Sequence, residues 1–217
     1  MPLDISAAHL QQACRTLQTQ VPQVPVLGIC CDYSQMEELP PHPLLQGQRR
    51  LGFYPGSSIG NFSPAEARAL LEQFGRLLGS GSRLLIGIDH PKAVERMEAA
   101  YNDAAGVSAA FARNLLVRLN RDLKGDFEPA AFRYRARWQA AESRIAMALE
   151  SVRDQTVELA GDTWRFAAGE QLITEYSVKY TLERFLALAQ QAGWRLSRRW
   201  WDPAGELSLL LLERADS

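Results

Sequence analysis

Apolar positions in the first half of the chain change their spacing several times, and each spacing predicts an element. Residues 2–5 have the pattern of a short strand. A stripe at helical spacing follows, behind the capping residue Ser6, and consists of Leu10, Cys14 and Leu17. The continuous apolar run 24–31, which ends in Asp32 and Tyr33, is typical of a strand buried on both faces.

The same alternation then repeats. A predicted strand at 50–54 leads into the loop 55–61, and Ser63 with Glu66 forms a capping box at the start of an apolar-striped helix. This helix is expected to end at Gly79, and a further strand at 84–88 ends in Asp89. Two strand–helix–strand units in succession predict a doubly wound, mainly parallel α/β sheet. Ligands bind such sheets at the carboxyl ends of the strands, where the acidic residues and the loop of this segment lie.

The middle of the chain has a different, α+β pattern. Two helices, at about 92–104 and 108–122, precede strands with period-two alternation. In the first of these strands, aromatic residues alternate with Arg133, Arg135 and Arg137. Gly161-Asp162 is predicted to be a hairpin turn. A helix at 181–192 and an antiparallel pair at 194–201 and 207–212 close the chain.

Composition narrows the function classes. With 24 Lys and Arg against 25 Asp and Glu, the net charge of −1 favours neither nucleic acid nor an anionic membrane as a partner. No apolar run has the length of a membrane span. Three cysteines without CxxC spacing and three scattered histidines predict neither a disulfide framework nor a metal site. A reducing, cytoplasmic location is expected.

Several strings, in order along the whole chain, carry a resemblance to one family. They are Phe53-Tyr-Pro-Gly-Ser-Ser-Ile-Gly-Asn-Phe62, Leu85-Ile-Gly-Ile-Asp89, Ala100-Tyr-Asn-Asp-Ala-Ala-Gly-Val-Ser-Ala-Ala-Phe111, Asn114-Leu-Leu-Val-Arg-Leu-Asn120 and Thr174-Glu-Tyr-Ser-Val-Lys-Tyr180. Together they resemble the histidine-specific S-adenosylmethionine-dependent methyltransferases of ergothioneine biosynthesis, which trimethylate the α-amine of histidine.

The resemblance implies a fold and a domain organisation. A class I, Rossmann-like methyltransferase lobe with a mixed sheet would comprise 1–100 and 180–217, and an inserted α+β substrate-binding region would comprise 101–179. Methyl transfer from a sulfonium is an in-line displacement that needs a positioned amine lone pair and exclusion of water rather than a nucleophilic side chain. No catalytic nucleophile is therefore assigned.

The resemblance also implies substrate contacts. Asn61 and Tyr101 match positions that hold the α-carboxylate of histidine, and Gly56 lies in the loop whose backbone approaches the amine. Glu175 and Ser177 match the pair that contacts the imidazole ring, and two side chains spaced by two on a strand do share a face. The remaining substrate-binding candidate is Met147, for which a place in the core is the preferred interpretation.

For the cofactor S-adenosylmethionine, the resemblance implies three further residues. Asp4 matches the acid that binds the ribose hydroxyls, and Asp32 and Tyr33 match the pair beside the adenine. Taken alone, acids at strand ends are often only turn or capping residues. Likewise, Glu175 could be a surface charge paired with Lys179.

One departure from the family concerns the cofactor loop. No GxGxxG occurs, and the family's glycine-rich loop, with its strand, is expected upstream of Asp4. The chain is thus expected to be the C-terminal two-thirds of a methyltransferase. Unpaired backbone groups at the place of that strand would be costly, so a polypeptide partner that supplies it is one expectation.

The sequence is compatible with three functions to different degrees. The leading one is a methyltransferase acting on L-histidine, with another amino acid or amine as the alternative substrate. The second is a catalytically incompetent fragment, or half of a split enzyme, that binds its partner through exposed sheet edges. An unrelated dinucleotide oxidoreductase leaves the C-terminal strings unexplained.

Overall fold

Eleven strands and five helices order the part of the chain that the computed structural model describes, residues 1–214. The helices are α1 (Ala7–Gln20), α2 (Pro64–Leu78), α3 (Val94–Tyr101), α4 (Val107–Leu123) and α5 (Leu182–Gln191). The strands are β1 (Leu3–Asp4), β2 (Ile29–Cys30), β3 (Leu51–Tyr54), β4 (Arg83–Asp89), β5 (Phe132–Gln139), β6 (Arg144–Ser151), β7 (Gln155–Leu159), β8 (Asp162–Phe166), β9 (Gln171–Val178), β10 (Trp194–Trp201) and β11 (Leu207–Arg214).

A mixed four-stranded sheet in the order β10-β11-β4-β3 forms the first layer. Strands β3 and β4 are parallel, whereas β11 is antiparallel to both of its neighbours. One face of β4 and β11 is fully buried together with apolar side chains of α2 and α5. The predicted capping box starts α2, since the Ser63 side chain accepts from Glu66 N–H while the Glu66 carboxylate accepts from Ser63 N–H.

A second core lies under the three-stranded antiparallel sheet β5-β6-β9. The predicted alternation in β5 is confirmed, because Phe132, Tyr134 and Ala136 are buried while arginines occupy the other face. Two of those arginines form ion pairs, Arg135 with Glu150 and Arg137 with Glu98. Helices α3 and α4 cover the buried face. The division of the chain at 101 and 179 stays a prediction.

The N-terminal prediction of a strand buried on both faces was wrong. Of the run 24–31 only Ile29–Cys30 is a strand, and Cys30 is exposed. Among the described residues, β2 pairs only with β1, in a two-stranded parallel sheet separate from the four-stranded one. With no strand on the other side, the apolar run is not enclosed, and Val24 is half-exposed.

Two local predictions also need correction. Ser6 is the residue before α1, but its side chain makes no capping bond; instead, Asp4 Oδ1 accepts from Ser6 N–H at 2.7 Å. The hairpin turn between β7 and β8 is at Ala160-Gly161, both with positive φ, and Asp162 already belongs to β8. A type I′ turn needs two central residues at positive φ. Leu159 pairs with Asp162, so the turn residues are Ala160 and Gly161, one position earlier than predicted.

Candidate functional site

The candidate site lies where the loop after β3 crosses the carboxyl end of β4. A Cβ at Gly87 would lie 1.9 Å from the Pro55 carbonyl oxygen, so the loop backbone rests directly on the strand. A Cβ at Gly60 would lie 2.7 Å from the Val178 carbonyl oxygen, at the end of β9. Both glycines therefore permit close backbone approach, and together they place the loop between β4 and β9.

This placement brings Asn61 to Glu175. The Asn61 Nδ2 donates to Glu175 Oε1 at 2.8 Å, although 114 residues separate the two. Within residues 1–214 the other carboxylate oxygen, Oε2, has no hydrogen-bond donor. Burial raises the pKa of Glu175 above its ordinary value because desolvation disfavours the charged form. A half-buried carboxylate with an oxygen that lacks a donor is a strong acceptor for a ligand N–H.

Next to this pair, Tyr101 and Ser177 form a second one. Their hydroxyl oxygens are 2.9 Å apart. Lys179, whose side chain is only 1% exposed, donates to Tyr101 OH at 2.7 Å and to Ser177 Oγ at 3.0 Å. Its third contact is Asp89 Oδ2, at 2.6 Å. Glu175, Ser177 and Lys179 follow one another at period two, which brings all three to one side of the chain.

Asp89 is the counter-ion of this network. Burial by itself would raise the pKa of Asp89, but hydrogen bonds and charge from Lys179 and Lys92 outweigh it and hold the pKa below the ordinary value. Lys92 contacts the Oδ1 oxygen and Lys179 the Oδ2 oxygen. A buried ammonium is tolerated only when paired and hydrogen-bonded, and this one has both kinds of partner.

Four of the predicted substrate residues thus come together as two hydrogen-bonded pairs. Met147 is 7% exposed and belongs to the core under the β5-β6-β9 sheet, opposite Glu175 in register. Its interpretation as a core residue therefore fits the structure. Gly56 lies in the loop before Ser57, and a Cβ there would meet only Ser58 Oγ at 3.6 Å. The roles of all six residues toward a substrate stay predictions.

Of the predicted cofactor residues, Asp4 ends β1 of the separate β1-β2 sheet, and Asp32 and Tyr33 lie just after β2. Asp4 Oδ1 accepts from Ser6 N–H, and Asp32 Oδ1 accepts from both the backbone N–H and the hydroxyl of Ser34, at 2.9 and 2.6 Å. In each carboxylate the Oδ2 oxygen has no hydrogen bond within residues 1–214 and can accept from hydroxyl or amino groups. Tyr33 packs edge-on against Tyr54 and shares a 3.1 Å hydroxyl contact with it.

These positions fit parts of a nucleoside. Asp4 ends β1 and Asp32 lies two residues beyond its parallel partner β2, so both carboxylates lie near the edge where α/β sheets bind ligands. The hydroxyl groups of a ribose can donate to such carboxylates, and a nucleobase can pack against the Tyr33 ring. Among residues 1–214 no cluster of His, Cys, Asp or Glu has metal-binding geometry, and no helix has the length and apolarity to cross a membrane.

Lys179 is the functional candidate that the sequence interpretation missed. A surface pair between Lys179 and Glu175 was one alternative, and it is wrong: Lys179 contacts Asp89, and Glu175 contacts Asn61. The one signal in the sequence was the period-two continuation of Glu175 and Ser177. A lysine there had to be either exposed or paired, and sequence alone did not show which acid was within reach.

Comparison with solved structures identifies the fold as that of S-adenosylmethionine-dependent methyltransferases. One such enzyme from Clostridium acetobutylicum superposes with a TM-score of 0.50 at 11% identity, over 99% of this chain and 74% of that chain. A possible exported protein from Bordetella parapertussis gives 0.51 at 12% identity, over 99% of this chain and 52% of that one.

The family follows from sequence. Residues 1–214 match the family described as histidine-specific methyltransferase, SAM-dependent, and the chain belongs to it. The histidine N-alpha-methyltransferase of Mycolicibacterium smegmatis is 38% identical over 99% of this chain, and that of Mycobacterium tuberculosis is 35% identical over 97%. The chain spans 66% and 65% of the length of these two relatives.

Proposed function

We propose that this chain takes part in S-adenosylmethionine-dependent methylation of the α-amine of L-histidine, the activity named for its relatives. The observation that carries the proposal is the joined arrangement of Asn61–Glu175 and Tyr101–Ser177. It offers a carboxylate acceptor at Glu175 and, two residues further along β9, the hydroxyl of Ser177 in contact with that of Tyr101. A neutral imidazole has one N–H and one unprotonated nitrogen, which is the matching set of groups.

Each pair has a proposed role. Glu175 accepts the ring N–H, and Ser177 serves the other ring nitrogen. Asn61 has a second amide N–H that donates to the α-carboxylate of the same small molecule, and Tyr101 acts together with Ser177 on the ring nitrogen. The bound cofactor supplies an electrophilic methyl group. The chain's own residues fix the ring and the carboxylate so that the amine lone pair is directed at it.

Binding and turnover test this proposal together. The purified chain is titrated calorimetrically with S-adenosylhomocysteine, with and without histidine, and methylated products are followed by mass spectrometry with histidine and other amino acids as substrates. Micromolar binding that histidine tightens, with methylation of histidine only, is the expected result. Methylation of a different amine in preference to histidine would reassign the substrate. Failure of a folded chain to bind histidine would refute the proposal.

A second candidate function, the partner-dependent half of an enzyme, is favoured by a specific gap in the structure. Within residues 1–214, strand β3 ends the four-stranded sheet with one edge unpaired, and β1 lacks a partner on the side away from β2. A cavity of about 670 Å³ lies between them, and it is lined mainly by apolar side chains of β1, β3, α2 and the segment 39–50. On β3, Leu51 and Phe53 are 59% and 69% exposed.

The occupant that fits is a polypeptide segment that adds an apolar strand, parallel to β1 and β3, and covers the Leu51–Phe53 face. Unpaired strand edges form ladders readily with such a segment. The probe is the third of the Mycolicibacterium smegmatis relative that has no counterpart in this chain, co-expressed with it. A stable complex with stronger S-adenosylhomocysteine binding is expected. Phe53→Glu should abolish complex formation, whereas Phe111→Glu, at a comparably exposed phenylalanine on α4, should not.

A further inference from the structure

The buried Lys179 does more than balance the charge of Asp89. Its ammonium group has three N–H donors and no acceptor, and the structure gives all three a partner: Asp89, Tyr101 and Ser177. Both hydroxyl oxygens therefore accept a hydrogen bond from the same cation. The direction of these two bonds is fixed, since a lysine ammonium cannot accept.

That constraint determines what the hydroxyl pair can offer to a ligand. The 2.9 Å contact between Tyr101 and Ser177 uses one of their two hydroxyl protons. Because both oxygens already accept from Lys179, the other proton is left to point away from the network. The pair therefore presents a donor, whichever of the two hydroxyls carries it, and it requires an acceptor on the ligand.

Resting on the proposed function, we infer that Lys179 is a positioning residue that polarises the Tyr101–Ser177 pair and makes the site select the neutral imidazole ring of histidine. Glu175 takes the one ring N–H, and the hydroxyl pair donates to the unprotonated nitrogen. An imidazolium has N–H on both nitrogens and would face this donor with another donor. Without Lys179, the hydroxyls can turn and accept from the charged ring.

Several other titratable or charged groups surround Lys179. They are Asp89, His90 and Lys92 at the end of β4 and after it, Tyr101 on α3, Tyr134 on β5 and Glu175 on β9. The Tyr134 hydroxyl donates to the Tyr101 carbonyl at 2.8 Å. The His90 ring is engaged on both nitrogens, by the Tyr180 carbonyl and Ser208 Oγ. Because Glu175 is proposed to contact the ring, the experiment must separate its titration from the titration of the ligand imidazole.

The test is calorimetric binding of histidine at pH 7.5 and pH 5.5. The imidazole pKa of about 6.5 makes the neutral fraction fall about tenfold between these values, so wild-type Kd should weaken about tenfold. Lys179→Met should weaken Kd at pH 7.5 by about tenfold and reduce the pH effect to less than about threefold. A second ligand, 1,2,4-triazolylalanine, has a ring that stays neutral at both pH values and reports on protein groups such as Glu175 alone.

Two further variants make the result specific. Lys124→Met removes a cation of the same charge from the exposed C-terminal end of α4 and should leave both Kd and its pH dependence unchanged. If Lys179→Met does not fold, the double variant Asp89→Asn/Lys179→Met removes both partners of the ion pair and is measured instead. Wild-type pH dependence in the Lys179 variant would overturn the inference. A folded wild-type chain that binds no histidine would overturn the proposed function itself.

Discussion

Replacing Glu175 by glutamine removes a charge from the site while it preserves most of the geometry. The carbonyl oxygen of the new amide can still accept from Asn61, which in the native chain donates to Glu175 Oε1 at 2.8 Å. What changes is the bond from the ligand N–H, which becomes a bond to a neutral acceptor. Hydrogen bonds to charged groups contribute about 1.5–3 kcal/mol and neutral ones about 0.5–1.5 kcal/mol.

The difference of about 1–1.5 kcal/mol corresponds to a Kd for histidine that is weaker by about five- to twelvefold. Glu175→Ala should lose more, because it also leaves the Asn61 amide without its partner. Calorimetry gives Kd, and competition among amino acids gives selectivity. Glu150→Gln, which changes a carboxylate paired with Arg135, is the matched control and should bind histidine normally.

The same Glu175→Gln variant should stabilise the fold. Burial raises the pKa of Glu175 above its unfolded value, so the contribution of this group is fully favourable below the unfolded pKa of about 4.3 and is lost as the pH rises through the folded pKa. At neutral pH the ionised carboxylate therefore destabilises the fold. Glutamine removes this charge, so Tm should rise. Unchanged selectivity for histidine in Glu175→Ala would refute this account of the site, as would a Tm that falls in Glu175→Gln.

Three other changes test the supporting structure. Asp89→Asn leaves Lys179 without its counter-ion, which should cost about 3–5 kcal/mol of folding free energy and lower Tm by at least about 6 °C. Because the pKa of Asp89 is lowered in the folded chain, this carboxylate stabilises the fold at neutral pH. Its stabilising effect should disappear from acid-unfolding curves as the pH falls below about 4. Ser63→Ala removes the α2 cap and should lower Tm by about 2–4 °C, with histidine binding retained; a larger loss of binding would contradict a purely local role. Gly87→Ala drives a Cβ into the Pro55 carbonyl, so histidine Kd should weaken severalfold by calorimetry, and unchanged binding would show that the loop does not depend on this contact.

Much of the candidate site was predictable because its parts are local. The strand ending in Asp89, the loop with Asn61 and the Glu175–Ser177 pair each follow from short patterns, and the family resemblance connects them. The α2 capping box is likewise local, since its two hydrogen bonds join residues three apart. Such features need no knowledge of distant chain segments.

Features that depend on long-range pairing were not predictable in this way. The run 24–31 has the composition of a buried strand, but burial requires neighbours on both sides, and β2 has one. Lys179 looked like a surface charge beside Glu175, yet an acid 90 residues away holds it in the interior. Patterns along the chain were enough to establish most of the elements, the family and the residue types of the site. Which donor meets which acceptor emerged only in three dimensions, because a hydrogen bond depends on distance and direction in space and not on separation along the chain.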